Sequence, residues 1–183
     1  RQCMEALTRI SKGFAPKMCA TRPELTQALL EPLGPAVNVV KGMSADKEFR
    51  AKFLAYVHRL VECLGEPMVP LLPAVFWALD HPRMDASDFK DLLVLVNQIV
   101  VRFSSNQTVI DSVVVPLFAD CSSKVHEYLG SDWDWSMRTA LDGDQDQGTG
   151  SSEELRERAE LQKQYYTIVN SVSQCTPLID RLL

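Results

Sequence analysis

Apolar residues recur every three or four positions along most of this chain, the period of helices with one buried face. The clearest stretch runs from Ala45 to Leu79. Its first half predicts a helix carrying Phe49, Phe53, Tyr56, Val57, Leu60 and Leu64 on one face. Asp46 stands where a capping side chain would, and Gly65 where a chain leaves a helix with positive φ. After a Gly65-Glu66-Pro67 turn, the second half predicts a helix with Pro67 in its first turn and a stripe of Met68, Leu71, Leu72, Val75, Phe76 and Leu79. His81-Pro82 ends it, because the residue before proline is pushed out of the helical region. Such a hairpin cannot bury its apolar faces alone and requires neighbours.

The same spacing supplies them. Before the hairpin, Arg1 to Phe14 predicts a helix with Met4, Leu7 and Ile10 on one side, read as the second half of a cut pair. Ala15 to Arg22 reads as a connection. Pro23 opens a helix bearing Leu25, Leu29, Leu33, Val37 and Val40; Pro32 and Pro35 should kink or split it, and Gly42 ends it. After the hairpin, Asp85 to Phe103 predicts a wide-faced helix (Phe89, Leu92, Leu93, Val96, Ile99, Val100, Phe103) capped by Asp85 or Ser87. Ser104 to Gln107 is a turn. A partner helix runs from about Thr108 to Leu129, with Ile110, Val114, Leu117, Phe118, Cys121, Val125 and Leu129 inward. The run Val113-Val114-Val115 has strand character, but Pro116 and the later helical spacing argue against a strand. The last long helix spans Ser152 to Val172, with Leu155, Leu161, Tyr165, Ile168, Val169 and Val172 inward, and Pro177 begins another.

Asp46 and Asp85 open successive first helices 39 residues apart, next to the lower end of the range of about 40–47 residues for HEAT and armadillo repeats. Each pairs a Phe-rich first helix with a proline-bearing second one. The expected fold is all-α, a solenoid of HEAT-like antiparallel helix pairs, with a compact helical bundle as the alternative. Residues 1–129 and 153–183 read as repeats, and residues 130–152, rich in Gly, Asp, Gln and Ser, as an acidic flexible loop. All of it reads as one segment of a longer array, the more so because the chain begins Arg-Gln-Cys without methionine.

Charge and chemistry narrow the function. The net charge of −5 does not suit a free-standing nucleic-acid binder. Five scattered cysteines without CxxC spacing fit neither a disulfide framework nor a zinc site and read as buried thiols of a reducing compartment. Phosphate-cradling glycine loops, HExxH and GxSxG are absent. His58, His81 and His126 fall in different hairpins, and no metal or cofactor is expected. Asp132, Asp134, Asp142, Asp144 and Asp146 alternate loosely like a calcium loop but lack the glycine and terminal glutamate of an EF-hand. Trp133 and Trp135 bracket Asp134 in that polar segment, so they either pack back on the array or meet a partner. Arg50, Lys52, Arg59, Lys90 and Arg102 lie on first helices and read as a solvated outer face.

Three stretches in order, FRAKFLAYVHRLVECLGEPMVPLLPAVFWAL, DLLVLVNQIVVRF and EELRERAELQKQYYTIVNSV, resemble the HEAT repeats of the exportin-T family within the karyopherin-β superfamily. The resemblance covers about Ala45 to Val172. It implies a nuclear export receptor, not an enzyme, that binds tRNA together with Ran-GTP, meets nucleoporins and shuttles between nucleus and cytoplasm without inserting into membranes. By that resemblance Arg83 and Lys124 become candidate tRNA-backbone contacts. The loop residues Trp133, Asp134, Trp135, Asp142, Asp144 and Asp146 become a candidate contact for a basic partner. The alternative is a HEAT scaffold that binds proteins only.

Overall fold

The computed structural model describes residues 2–43, 45–79, 84–130, 152–175 and 179, which form helices and turns with no strand among them. Helices α1 (Gln2–Ser11), α5 (Lys47–Leu64), α7 (Ala86–Phe103) and α10 (Ser152–Ser173) lie side by side, α1 on α5, α5 on α7 and α7 on α10. A second layer runs behind them. It begins with α2 (Pro16–Thr21), α3 (Pro23–Leu30) and α4 (Leu33–Gly42). A 3₁₀ turn (Glu66–Leu71) leading into α6 (Leu72–Ala78) comes next. The short α8 (Gln107–Val109), a π-turn (Ile110–Val114) and α9 (Val115–Leu129) complete it. In this layer α4 packs on α6, and α6 on the π-turn. The expected solenoid of antiparallel helix pairs is thereby observed, with one continuous core between the layers.

The caps are where the residues place them. The Asp46 carboxylate accepts the Phe49 N–H at 3.0 Å, and Asp85, not Ser87, accepts the Asp88 N–H at 2.9 Å. Asp88 completes a capping box by accepting the Asp85 N–H at 3.2 Å. Asn106 caps α8 through the Val109 N–H. Gly65 leaves α5 at φ 65°, and a Cβ there would sit 2.9 Å from the Arg102 guanidinium. The flexible Arg102 tip can move, so the main penalty is the backbone one. Gly65→Ala is expected to lower stability by about 1–2 kcal/mol, read as a drop in the urea midpoint; an unchanged midpoint would mean the turn tolerates another conformation.

Proline explains most departures from plain helices. Pro32 splits the predicted Pro23 helix into α3 and α4. Close to that break the carbonyl of the buried Leu29 accepts the buried Tyr56 hydroxyl at 2.8 Å. Pro67 and Pro70 turn the start of the second hairpin helix into a 3₁₀ turn. Pro116, which lacks an N–H, follows the π-turn in which the Val115 N–H reaches Ile110. The wider turn brings Val109, Ile110, Val113 and Val114 all inward.

Three expectations change. The predicted connection Ala15–Arg22 contains α2. Helix α1 is not the second half of a pair: it flanks α5 as α5 flanks α7, so it is a first-layer helix. Arg50 does not face solvent. It is 3% exposed and ion-paired with Asp88 across the α5–α7 interface, because α7 covers the flank of α5 that a single helix leaves open. The proposed loop, residues 130–152, and the final helix from Pro177 lie almost wholly outside the described residues.

Candidate interaction surface

Polar groups in this molecule stitch repeats together before they do anything else. At the N-terminal ends of the first-layer helices, Lys47 meets the cap Asp85 at 2.8 Å beside the buried Arg50–Asp88 pair. Burial works to raise the Asp85 carboxyl, but Lys47 and the Asp88 and Ser87 amides outweigh it and hold the pKa below 3.8. Its contribution to stability is therefore whole above pH 3.8 and is lost as pH falls through the lower folded value. Urea midpoints measured across that acid range should fall less steeply in Lys47→Met than in the parent; identical slopes would leave Asp85 uninvolved.

At the C-terminal ends a second seam appears. Arg59 on α5 donates to the Ser11 and Phe14 carbonyls at 3.1 and 3.3 Å, just past α1. The Cys63 thiol reaches the same two oxygens at 3.5 and 3.3 Å, and the Cys175 thiol reaches Ser104, past α7, at 3.5 Å. Burial raises the Cys63 pKa and pushes Cys121 up to about 12, so both are thiols at neutral pH. A groove of about 520 Å³ opens at this end, lined by Cys19, Ala20, Thr26, Leu64 to Pro67, Arg102 and Phe103.

No catalytic arrangement emerges among these groups. Burial lowers the His58 pKa, and its backbone carbonyl accepts from Gln98 at 3.3 Å. His126 Nδ1 lies 2.6 Å from the Ser122 carbonyl, and its ring stands edge-on to Tyr165 at 5.7 Å. Among the described residues no three of His, Cys, Asp and Glu could hold a metal, and no helix is long and apolar enough to cross a membrane.

Of the sequence-derived candidates, only Lys124 is described. Its ammonium lies 2.6 Å from Glu127 on α9, and that bond is the first cause of its raised pKa. Arg83 and His81 lie outside the described residues, as do Trp133, Asp134, Trp135, Asp142, Asp144 and Asp146.

What it does present is the outer face of the second layer. Residues 67–79 carry no charge. Trp77 on α6 is 80% exposed, the most exposed of the large apolar side chains described. It stands on the rim of a cleft of about 30 Å³ between α6 and the π-turn–α9 segment. The signal for Trp77 was present in the sequence: it falls one place after Phe76, off the stripe formed by Val75, Phe76 and Leu79. A large aromatic off-stripe is one that the core does not claim.

Compared with known proteins, the chain is 29% identical over 174 residues to an exportin-T of Oryza sativa subsp. japonica. It is 26% identical over 171 residues to an exportin-T of Arabidopsis thaliana. Each match covers 92% of this chain and 16% of the relative, so the chain spans about a sixth of their length. No family model and no solved structure matches it. The resemblance read from the three quoted stretches extends over 92% of the chain, and so over most of the segment before Ala45.

Proposed function

We propose that this exportin-T-like chain is one stretch of the wall of a nuclear export receptor, which binds tRNA together with Ran-GTP and carries it from nucleus to cytoplasm. The observation that carries the reading is the match to two exportin-T sequences along 92% of the chain. The two-layered solenoid supplies a physical basis. An array of repeats joined by many small interfaces changes curvature by small steps, so two ligands that favour one curvature favour each other. The receptor is not an enzyme, meets nucleoporins through its full length, and shuttles between the two compartments.

Within it this segment is mainly scaffold. Lys124 is a candidate phosphate contact, already partly neutralised by Glu127. Arg83 is a second by its sequence position. The acidic residues of the 130–152 stretch suit a basic protein surface, with Ran the partner in this reading.

The test is tRNA binding by the full-length protein with and without GTP-locked Ran at fixed salt. Ran should raise tRNA affinity about tenfold, or about 1.4 kcal/mol of coupling. Lys124→Glu with Arg83→Glu should weaken tRNA binding and flatten its salt dependence. Deleting the acidic stretch should lower Ran affinity. If tRNA does not bind, or binds equally without Ran, the chain is instead a scaffold for proteins. The charge-free stretch 67–79 favours that second reading.

A further inference from the structure

We propose that the seam between α5 and α7 is a joint, which pivots on the buried Arg50–Asp88 pair and is latched at its far end by a hydrogen bond from Asn106 to Glu66. The joint follows from how the array packs and does not depend on what the array carries. The first-layer seams are tied at different ends. Where α1 meets α5, Arg59 and Cys63 hold the Ser11 and Phe14 carbonyls at the C-terminal ends. Where α7 meets α10, Cys175 holds the Ser104 carbonyl at that same end. The α5–α7 seam is tied the other way round. Its ion pairs, Arg50 with Asp88 and Lys47 with Asp85, lie at the N-terminal ends. Halfway along, Gln98 donates to the His58 carbonyl at 3.3 Å. At the C-terminal ends Asn106 Nδ2 donates to Glu66 Oε2 at 3.2 Å, and this contact is exposed.

Open space lies at the latched end. The groove of about 520 Å³ has Leu64 to Pro67 on one side and Arg102 and Phe103 on another. Arg102 reaches over Gly65, so near that a Cβ there would sit 2.9 Å from its guanidinium. A long side chain over bare backbone follows a small motion without strain. In the second layer, the cleft of about 30 Å³ between α6 and the π-turn–α9 segment falls across the same repeat boundary. Protein interiors hold few voids, and two at one boundary leave room for the repeats to shift.

Burial decides which end moves. Parting Arg50 from Asp88 would strand a charge away from water, a heavy cost. Parting Asn106 from Glu66 exchanges an exposed contact for hydration at little cost. The seam therefore opens at the groove while the pivot holds. Because the two flanking seams are tied at the end that opens, α5 moves with α1, and α7 with α10. A swing about Arg50–Asp88 turns one pair of first-layer helices against the other, so the array changes curvature at this boundary, as hinged elements do.

Hydroxyl-radical footprinting of the full-length protein, read residue by residue by mass spectrometry, tests the joint. Asn106→Asp keeps the side-chain shape and the cap on the Val109 N–H, but sets a carboxylate against Glu66. Oxidation of Leu64 and Phe103, both buried at the groove, should rise about twofold or more, the scale of an exposed polar contact. Phe53 and Phe89, buried toward the pivot end, should stay as in the parent. Adding Glu66→Gln gives the new carboxylate a donor and should return Leu64 and Phe103 to the parental level. Unchanged oxidation of both in Asn106→Asp overturns the latch. An equal rise at Phe53 and Phe89 means the seam parts along its whole length and overturns the pivot. A double variant as reactive as Asn106→Asp alone overturns the pairing of these two residues.

Discussion

Asp88→Ala should destabilise the chain by about 3–5 kcal/mol, the cost of leaving a buried charge without its partner. The Arg50 and Asp88 side chains are 4% and 1% exposed, so water cannot replace the lost carboxylate without opening the α5–α7 interface. Loss of the capping-box acceptor adds about 1 kcal/mol and is the smaller part. Asp88→Asn separates the two, since it keeps an acceptor and removes the charge. Replacing the pair together, Arg50→Met with Asp88→Leu, should recover most of the loss, because two apolar side chains of similar volume need no mutual neutralisation. Urea unfolding followed by far-ultraviolet circular dichroism reads all four proteins. A loss below about 1 kcal/mol for Asp88→Ala would fit an exposed ion pair and not a buried one.

Phe53→Ala should cost about 3–5 kcal/mol as well, by a different route. Phe53 is 0% exposed on α5, the helix that packs on α1, α4 and α7 together. Truncation leaves a void in the continuous core, and the packing around it would have to shift to fill it. The contrast is Trp77→Ala, which removes a larger aromatic but should stay within about 0.5 kcal/mol of the parent, as surface changes do. Thermal unfolding of the two variants side by side checks the pair of statements. If Phe53→Ala loses less than about 2 kcal/mol, the helices relax into the gap and the interface between layers is plastic.

Helical stripes were legible because each is written in one local stretch. Asp46, Gly65, Pro32 and Asp85 mark helix ends by their own backbone and side-chain chemistry, and they do so in the structure. Arg50 was not legible. Its partner lies 38 residues away, and which flank of α5 is covered depends on how α7 docks. The same limit hid the place of α1, whose amphipathic face fits either layer until its neighbour α5 is known. The π-turn escaped because a period of 3.6 and a slightly wider one differ by a single residue over Ile110–Val114. The candidate contacts fared according to their source. Arg83 and the acidic stretch came from family likeness and chain composition, and they lie outside the described residues. Trp77, by contrast, was encoded by its position off the stripe and needed only to be asked about.

The seam at the C-terminal ends has a consequence for the order in which the protein is made. The Ser11 carbonyl accepts the nearby Phe14 N–H, but the side-chain donors that cover it and the Phe14 carbonyl, Arg59 and Cys63, come 45 to 52 residues later. The Ser104 carbonyl waits 71 residues for Cys175. On the ribosome, then, each finished turn stays hydrated until the next first-layer helix has emerged and folded over it. Assembly in this stretch runs one repeat behind synthesis, and a pause in translation just after α1 or α7 leaves a wet, unsealed end for a chaperone to hold.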